Sequence, residues 1–152
     1  FHAAGVKIQH VPYKGSAPAM TDLIGGQIPF TVDTVSAALL HLKDGKVKAI
    51  AVTTAKRTSL LPKVPTLAES GYPGLDMDTW LAVVAPRGLP PAVKSRLELT
   101  LAQVVSDPET RDKLLSMGFE PAYGSSRALG ELIDKELPLM RAIAQRASIT
   151  AD

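Results

Sequence analysis

The first part of the chain alternates short apolar runs with stretches at helical spacing. Residues 7–12 (KIQHVP) read as a strand. A helix follows, with Ser16 as its expected cap and Gly25-Gly26 as its stop. Residues 28–33 (IPFTVD) form a second strand, and a helix through Ala37, Leu39, Leu40 and Leu42 ends at Gly45. Residues 47–53 (VKAIAVT) are nearly continuous in apolar positions, the pattern of a strand covered on both faces. Strand-helix-strand-helix-strand with short connections predicts an α/β domain built on a parallel-rich sheet flanked by helices. Phe1-His2-Ala3-Ala4-Gly5 reads as the last turn of an earlier helix, so the chain is expected to begin inside a longer product.

The middle is punctuated by Pro62, Pro65, Gly71, Pro73 and Gly74. Thr66-Leu67-Ala68-Glu69 is a capping box and predicts a short helix. Residues 77–86 (MDTWLAVVAP) read as a long strand. Beyond Pro90-Pro91, the positions Val93, Leu97, Leu101 and Val104 share one helical face. Asp107-Pro108-Glu109 opens another helix, with a cap, a first-turn Pro and an acid near the positive dipole end; Gly118 closes it. Residues 120–123 are expected as a short strand. Leu129, Leu132, Ile133, Leu137, Met140, Ile143 and Ala147 mark a long terminal helix that Pro138 should bend.

Composition narrows the function. With 17 basic and 15 acidic side chains the formal charge is +2, too balanced for an obligate nucleic-acid binder. The densest basic stretch, Lys43 to Lys63, reads as a solvated edge. There is no cysteine, which removes disulfides, thiolate metal sites and a Cys nucleophile. No apolar run reaches the ~18 residues of a bilayer span.

Candidate chemistry is sparse. His2, His10 and His41 have no metal-ligand spacing, and no nucleophile elbow, Walker loop or dinucleotide fingerprint is present. Asp22, Asp33, Asp76 and Asp78 are carboxylates to which the sequence assigns no partner. Two turns stand out. Tyr13-Lys14-Gly15-Ser16-Ala17 lies where a strand gives way to a helix, and ligands of open α/β sheets bind there. Free N–H groups, the positive dipole end, Gly15 and the Ser16 hydroxyl suit an anion. Asp33-Thr34-Val35-Ser36 repeats the arrangement after the next strand, with Asp33 or Thr34 as the cap. Thr79 and Trp80 complete the candidate site, although a lone Trp in a strand is more often a core or interface residue than a ligand contact.

The segments His10-Val11-Pro12-Tyr13-Lys14-Gly15-Ser16-Ala17-Pro18-Ala19, Asp22-Leu23-Ile24-Gly25-Gly26-Gln27, Ala51-Val52-Thr53-Thr54-Ala55-Lys56-Arg57 and Val64-Pro65-Thr66-Leu67-Ala68-Glu69-Ser70-Gly71 resemble successive signatures of the tripartite tricarboxylate transporter receptors, also called Bug receptors. Thr79-Trp80, Ala85-Pro86 and Gly88 fit the same family. The resemblance implies a periplasmic solute receptor of the type II, Venus-flytrap kind, whose two α/β domains close on a small organic carboxylate and deliver it to membrane permease subunits. It implies no enzyme activity, no cofactor, no metal and no nucleic-acid partner. Receptors of this family are about twice as long. The family's chain path makes residues 1–77 the second ligand-binding domain, shortened at its start. Residues 78–152 become a crossover strand and C-terminal helices that return to the first domain. A homodimer of the fragment is expected through the exposed edge strand or by helix exchange. The alternative is the effector-sensing domain of a transcription regulator, which shares the flytrap architecture.

Overall fold

The computed structural model describes residues 5–75 and 77–146. The helix turn expected at Phe1 to Ala4, with His2, lies outside the described residues, as do Asp76 and Ala147. The chain divides into two compact units, Phe1–Trp80 with Arg111–Pro121, and Leu81–Thr110 with Ala122–Asp152.

The first unit is organised by two nine-residue helices, α1 (Ser16–Ile24) and α2 (Val35–Lys43). Each ends in a glycine with positive φ, Gly26 at 72° and Gly45 at 68°. At α1 the N–H of Gln27 reaches the Asp22 carbonyl at 2.8 Å and that of Gly26 reaches Leu23 at 3.1 Å. At α2 Lys46 reaches His41 at 2.9 Å and Gly45 reaches Leu42 at 3.1 Å. Both are Schellman endings, which use carbonyls the helix cannot satisfy itself.

The starts differ. Thr34 caps α2 by accepting from the Ala37 N–H at 3.3 Å. At α1 the cap position belongs to Gly15, with φ 102° and no side-chain cap bond. Ser16, expected as the cap, is instead the first helical residue. The open backbone geometry of Gly15 moves the boundary one residue back and frees the Ser16 hydroxyl for another partner.

The capping box is made but does not propagate. Thr66 N–H donates to Glu69 at 2.8 Å, and Glu69 N–H donates to Thr66 Oγ1 at 3.1 Å. Only turns follow, because Gly71 enters the left-handed region at φ 94° and ends the helix after one turn. The runs 7–12, 28–33, 47–53, 77–86 and 120–123, expected as strands, carry no helix and no ladder among the described residues. Residues 52 and 53 come nearest. Val52 forms a parallel bridge with Thr66, and Thr53 exchanges bonds with Met77 through N–H of Met77 at 2.8 Å and its own hydroxyl at 2.6 Å. A strand needs a neighbouring segment to pair its backbone groups, and one buried on both faces needs covering layers as well. Without them Ile50, in the run expected to be covered on both faces, is 75% exposed. Among the described residues the buried apolar side chains are Ala19, Met20, Leu39 and Val52, all in this unit.

The second unit holds α3 (Pro91–Ser106), the start of α4 (Pro108–Ser116) and α5 (Ser126–Arg146). Asp107 caps α4 by accepting from Thr110 N–H at 2.9 Å, and that bond holds its carboxyl below the usual range. Ser125 Oγ accepts from Ala128 N–H at the start of α5, and Glu98 of α3 accepts from Ser126 N–H at 3.0 Å. The helix runs across Pro138, which has no N–H to return to the preceding turn. No residue of α3, α4 or α5 is buried.

Candidate functional site

One side-chain bond brings the two candidate turns together. The Ser16 hydroxyl, on the first residue of α1, donates to Asp33 Oδ1 at 2.7 Å. The same oxygen accepts from Thr34 N–H at 2.8 Å. Asp33 thus sits between the two helix starts, and both positive dipole ends converge on it. Thr34 Oγ1 lies 3.0 Å from Ser36 Oγ. That hydroxyl pair has two protons and spends one between its members, so one remains to donate outward.

The donor inventory differs from the sequence expectation. Ser16 was expected to offer its hydroxyl to an anion, but in the structure that proton is given to Asp33. The main chain at the start of α1 carries no side-chain cap, and Pro18 has no N–H to donate. Tyr13 is half-buried and its hydroxyl donates to Asp22 Oδ2 at 2.8 Å, in the second turn of α1. This bond, with burial and the Asp22 charge, raises the phenol above its ordinary value. Asp22 is therefore a structural acceptor, a partner the sequence left unassigned. Thr79 and Trp80 lie in the exposed run 77–86, and the bond that joins the two turns includes neither.

A hollow of about 380 Å³ runs along α1 from Ser16 to Ile24 and faces Ala37 and His41 of α2. His41 Nδ1 is buried there without a hydrogen-bond partner. Gly118, far away in sequence, packs against Ser36, a neighbour no local pattern could have supplied. Among the described residues no group of three or more His, Cys, Asp or Glu is placed to hold a metal, and no helix is long and apolar enough to cross a membrane.

The profile of the tripartite tricarboxylate transporter family receptor matches residues 1–149. The chain belongs to that family. The UPF0065 protein from the tcbD-tcbE intergenic region of a Pseudomonas species is 36% identical over 134 residues, covering 88% of this chain and 40% of the relative. An adipate-bound protein of R. palustris superposes with a TM-score of 0.82 at 38% identity, covering 95% of this chain and 48% of that structure. The periplasmic binding protein BugD gives 0.79 at 33% identity, covering 99% and 51%. This member of the receptor family therefore has a periplasmic-binding-protein-like fold and spans about half the length of the structures it matches. The matched family is one of transporter receptors and lends no support to the regulator alternative.

Proposed function

We propose that this chain supplies half of a carboxylate site in a receptor that binds an organic acid without transforming it and hands it to membrane permease subunits. The observation that carries the reading is the Ser16–Asp33 hydrogen bond, which sets two helix starts side by side. A ligand carboxylate docks on the main-chain N–H groups of Gly15, Ser16 and Ala17 and takes the spare proton of the Thr34–Ser36 pair. Hydrogen bonds to a charged acceptor are worth about 1.5–3 kcal/mol each. Asp33 holds the two turns in register, Tyr13 braces the approach, and Thr79 and Trp80 belong to the wall where the chain leaves the first unit. The adipate in the R. palustris protein supports a small dicarboxylate as the ligand class.

The surrounding architecture follows the same reading. Residues 1–77 form the second domain of a type II flytrap, with the runs at 7–12, 28–33 and 47–53 as parallel strands. Residues 78–152 return to the first domain, whose sheet covers the apolar faces of the C-terminal helices. The receptor works in the periplasm.

Calorimetric titration of the full-length receptor tests this. Adipate, succinate and citrate are compared with the neutral diamide of adipic acid. Binding by at least one acid and none by the diamide is expected. Equal binding of the diamide, or heat from none of the acids, would sink the carboxylate site.

A further inference from the structure

Three helices end in Schellman glycines with positive φ: Gly26, Gly45 and Gly118. The first two face open space, with nothing within 4 Å of a Cβ placed there. Gly118 does not. A Cβ at that position would stand 2.5 Å from Ser36 Cα, 3.0 Å from its N and 3.1 Å from its Cβ. The backbone at the end of α4 therefore lies flat against the first turn of α2. Two residues on, Glu120 Oε1 accepts from both the N–H and the hydroxyl of Ser59, at 2.5 and 2.6 Å. Ser59 follows the buried Thr58, whose Oγ1 accepts from Leu60 N–H at 3.2 Å, so the clamp closes on an anchored loop. Residues 118–120 are thus pinned at one end on α2 and at the other on the 58–60 turn. Immediately after Pro121 the chain passes into the second unit.

We propose that Gly118 is a positioning residue for the carboxylate site: its backbone contact with Ser36 holds the first turn of α2, and the Glu120–Ser59 clamp keeps that contact closed. The inference rests on the reading of Thr34 and Ser36 as ligand contacts. Its logic is steric. Any side chain at 118 must displace the backbone of Ser36, which carries one hydroxyl of the donor pair, next to the Thr34 cap. The displacement leaves α1, on the other side of the Ser16–Asp33 bond, with all of its own hydrogen bonds.

Hydrogen exchange of the full-length protein separates this role from general strain. Gly118→Ala and Gly26→Ala both place a side chain at a left-handed helix stop, but only the first meets a neighbour. Gly118→Ala is expected to speed exchange of amides 36–40 by tenfold or more while amides 20–24 of α1 stay unchanged; Gly26→Ala leaves 36–40 unchanged. Equal acceleration in both variants, or none in Gly118→Ala, would overturn the proposal. Glu120→Ala adds no atom near Ser36 and serves where Gly118→Ala fails to fold; it should speed exchange at 36–40 about threefold, and no change there counts against the clamp. Adipate affinity is read in parallel. A tenfold loss in Gly118→Ala with exchange changed only at 36–40 supports positioning. An unmodified receptor that binds no acid defeats the carboxylate reading, and the exchange data still decide whether Gly118 holds α2.

Discussion

The two units answer the same problem, how to cover an apolar helix face, in opposite ways. In the first, helices of only nine residues are held by caps, Schellman turns and side-chain bonds, and they bury Ala19, Met20 and Leu39. In the second, α3 and α5 have 16 and 21 residues and bury nothing. Leu97, Leu99, Ile133, Leu137 and Leu139 stay exposed, and the run before α3 leaves Val84 83% exposed. Length and propensity make a helix; a partner surface makes it part of a core. The first unit buries part of its apolar surface within itself, although Val32, Leu40 and Ile50 stay exposed, whereas α3, α4 and α5 bury none of theirs.

The sharpest way to break this contrast is a matched pair of truncations. Met20→Ala should cost about 2–5 kcal/mol of stability, as for a buried side chain leaving a cavity. Leu97→Ala in this chain alone should cost less than about 1 kcal/mol, because little burial is lost. Denaturant unfolding of both variants checks it, and equal losses would show that α3 has found cover.

The chain alone should also self-associate through the uncovered faces, since each side chain of this kind gains about 1.5–3 kcal/mol when buried. Light scattering at rising concentration measures this. A monomer at high micromolar concentration, unfolding cooperatively, would mean that the second unit repacks on its own.

Within the site the expected effects are smaller. Ser16→Ala removes the side-chain bond that links the two turns and should weaken adipate binding to the full-length receptor about tenfold, or ~1.4 kcal/mol. Unchanged affinity by calorimetry would mean that the turns stay in register without it. Thr34→Ala should cost about 1 kcal/mol of stability through loss of the α2 cap.

The smallest effect is on the acid side. Hydrogen bonds from Arg57 and Thr66, against a burial cost, hold the Glu69 carboxyl below its ordinary 4.5. Burial pushes Glu120 up, but its bonds from Ser59 outweigh that and lower it too. A lowered carboxyl stabilises the fold fully above its unfolded value and loses that contribution as pH falls through the folded one. Stability should therefore be flat near neutrality and decline below about pH 4.5. Glu69→Gln should flatten part of the decline in a urea titration repeated at each pH.

Local chemistry was legible in the sequence where its cause is local. The glycine stops at Gly26, Gly45 and Gly118, the Asp107 cap and the five described helices follow from patterns within a few residues, while at α2 the sequence leaves Asp33 and Thr34 as alternatives and the structure selects Thr34. The capping box was read correctly as a pair of bonds, and incorrectly as a helix, because Gly71 cuts it after one turn. Ser16 was misread for a related reason: a glycine before it took the cap position, and its true partner lies 17 residues away. Pairings of that kind, like Gly118 on Ser36 or Glu120 on Ser59, depend on where separate elements meet, which no periodicity encodes. The runs read as strands have the right composition, but a ladder belongs to two segments at once, and among the described residues only Val52 and Thr66 bridge.

The bond from Tyr13 to Asp22 gives the receptor an optical handle. A phenol whose hydroxyl donates a hydrogen bond to a carboxylate resists ionisation, so Tyr13 should keep its neutral absorption further into alkaline solution than an unpartnered tyrosine. Only three tyrosines and one tryptophan are present, so the spectrum is uncrowded. The late-titrating ring stands just before Gly15 and the first turn of α1, and its absorbance near the phenolate band reports, without any label, whether that corner of the molecule is still in place.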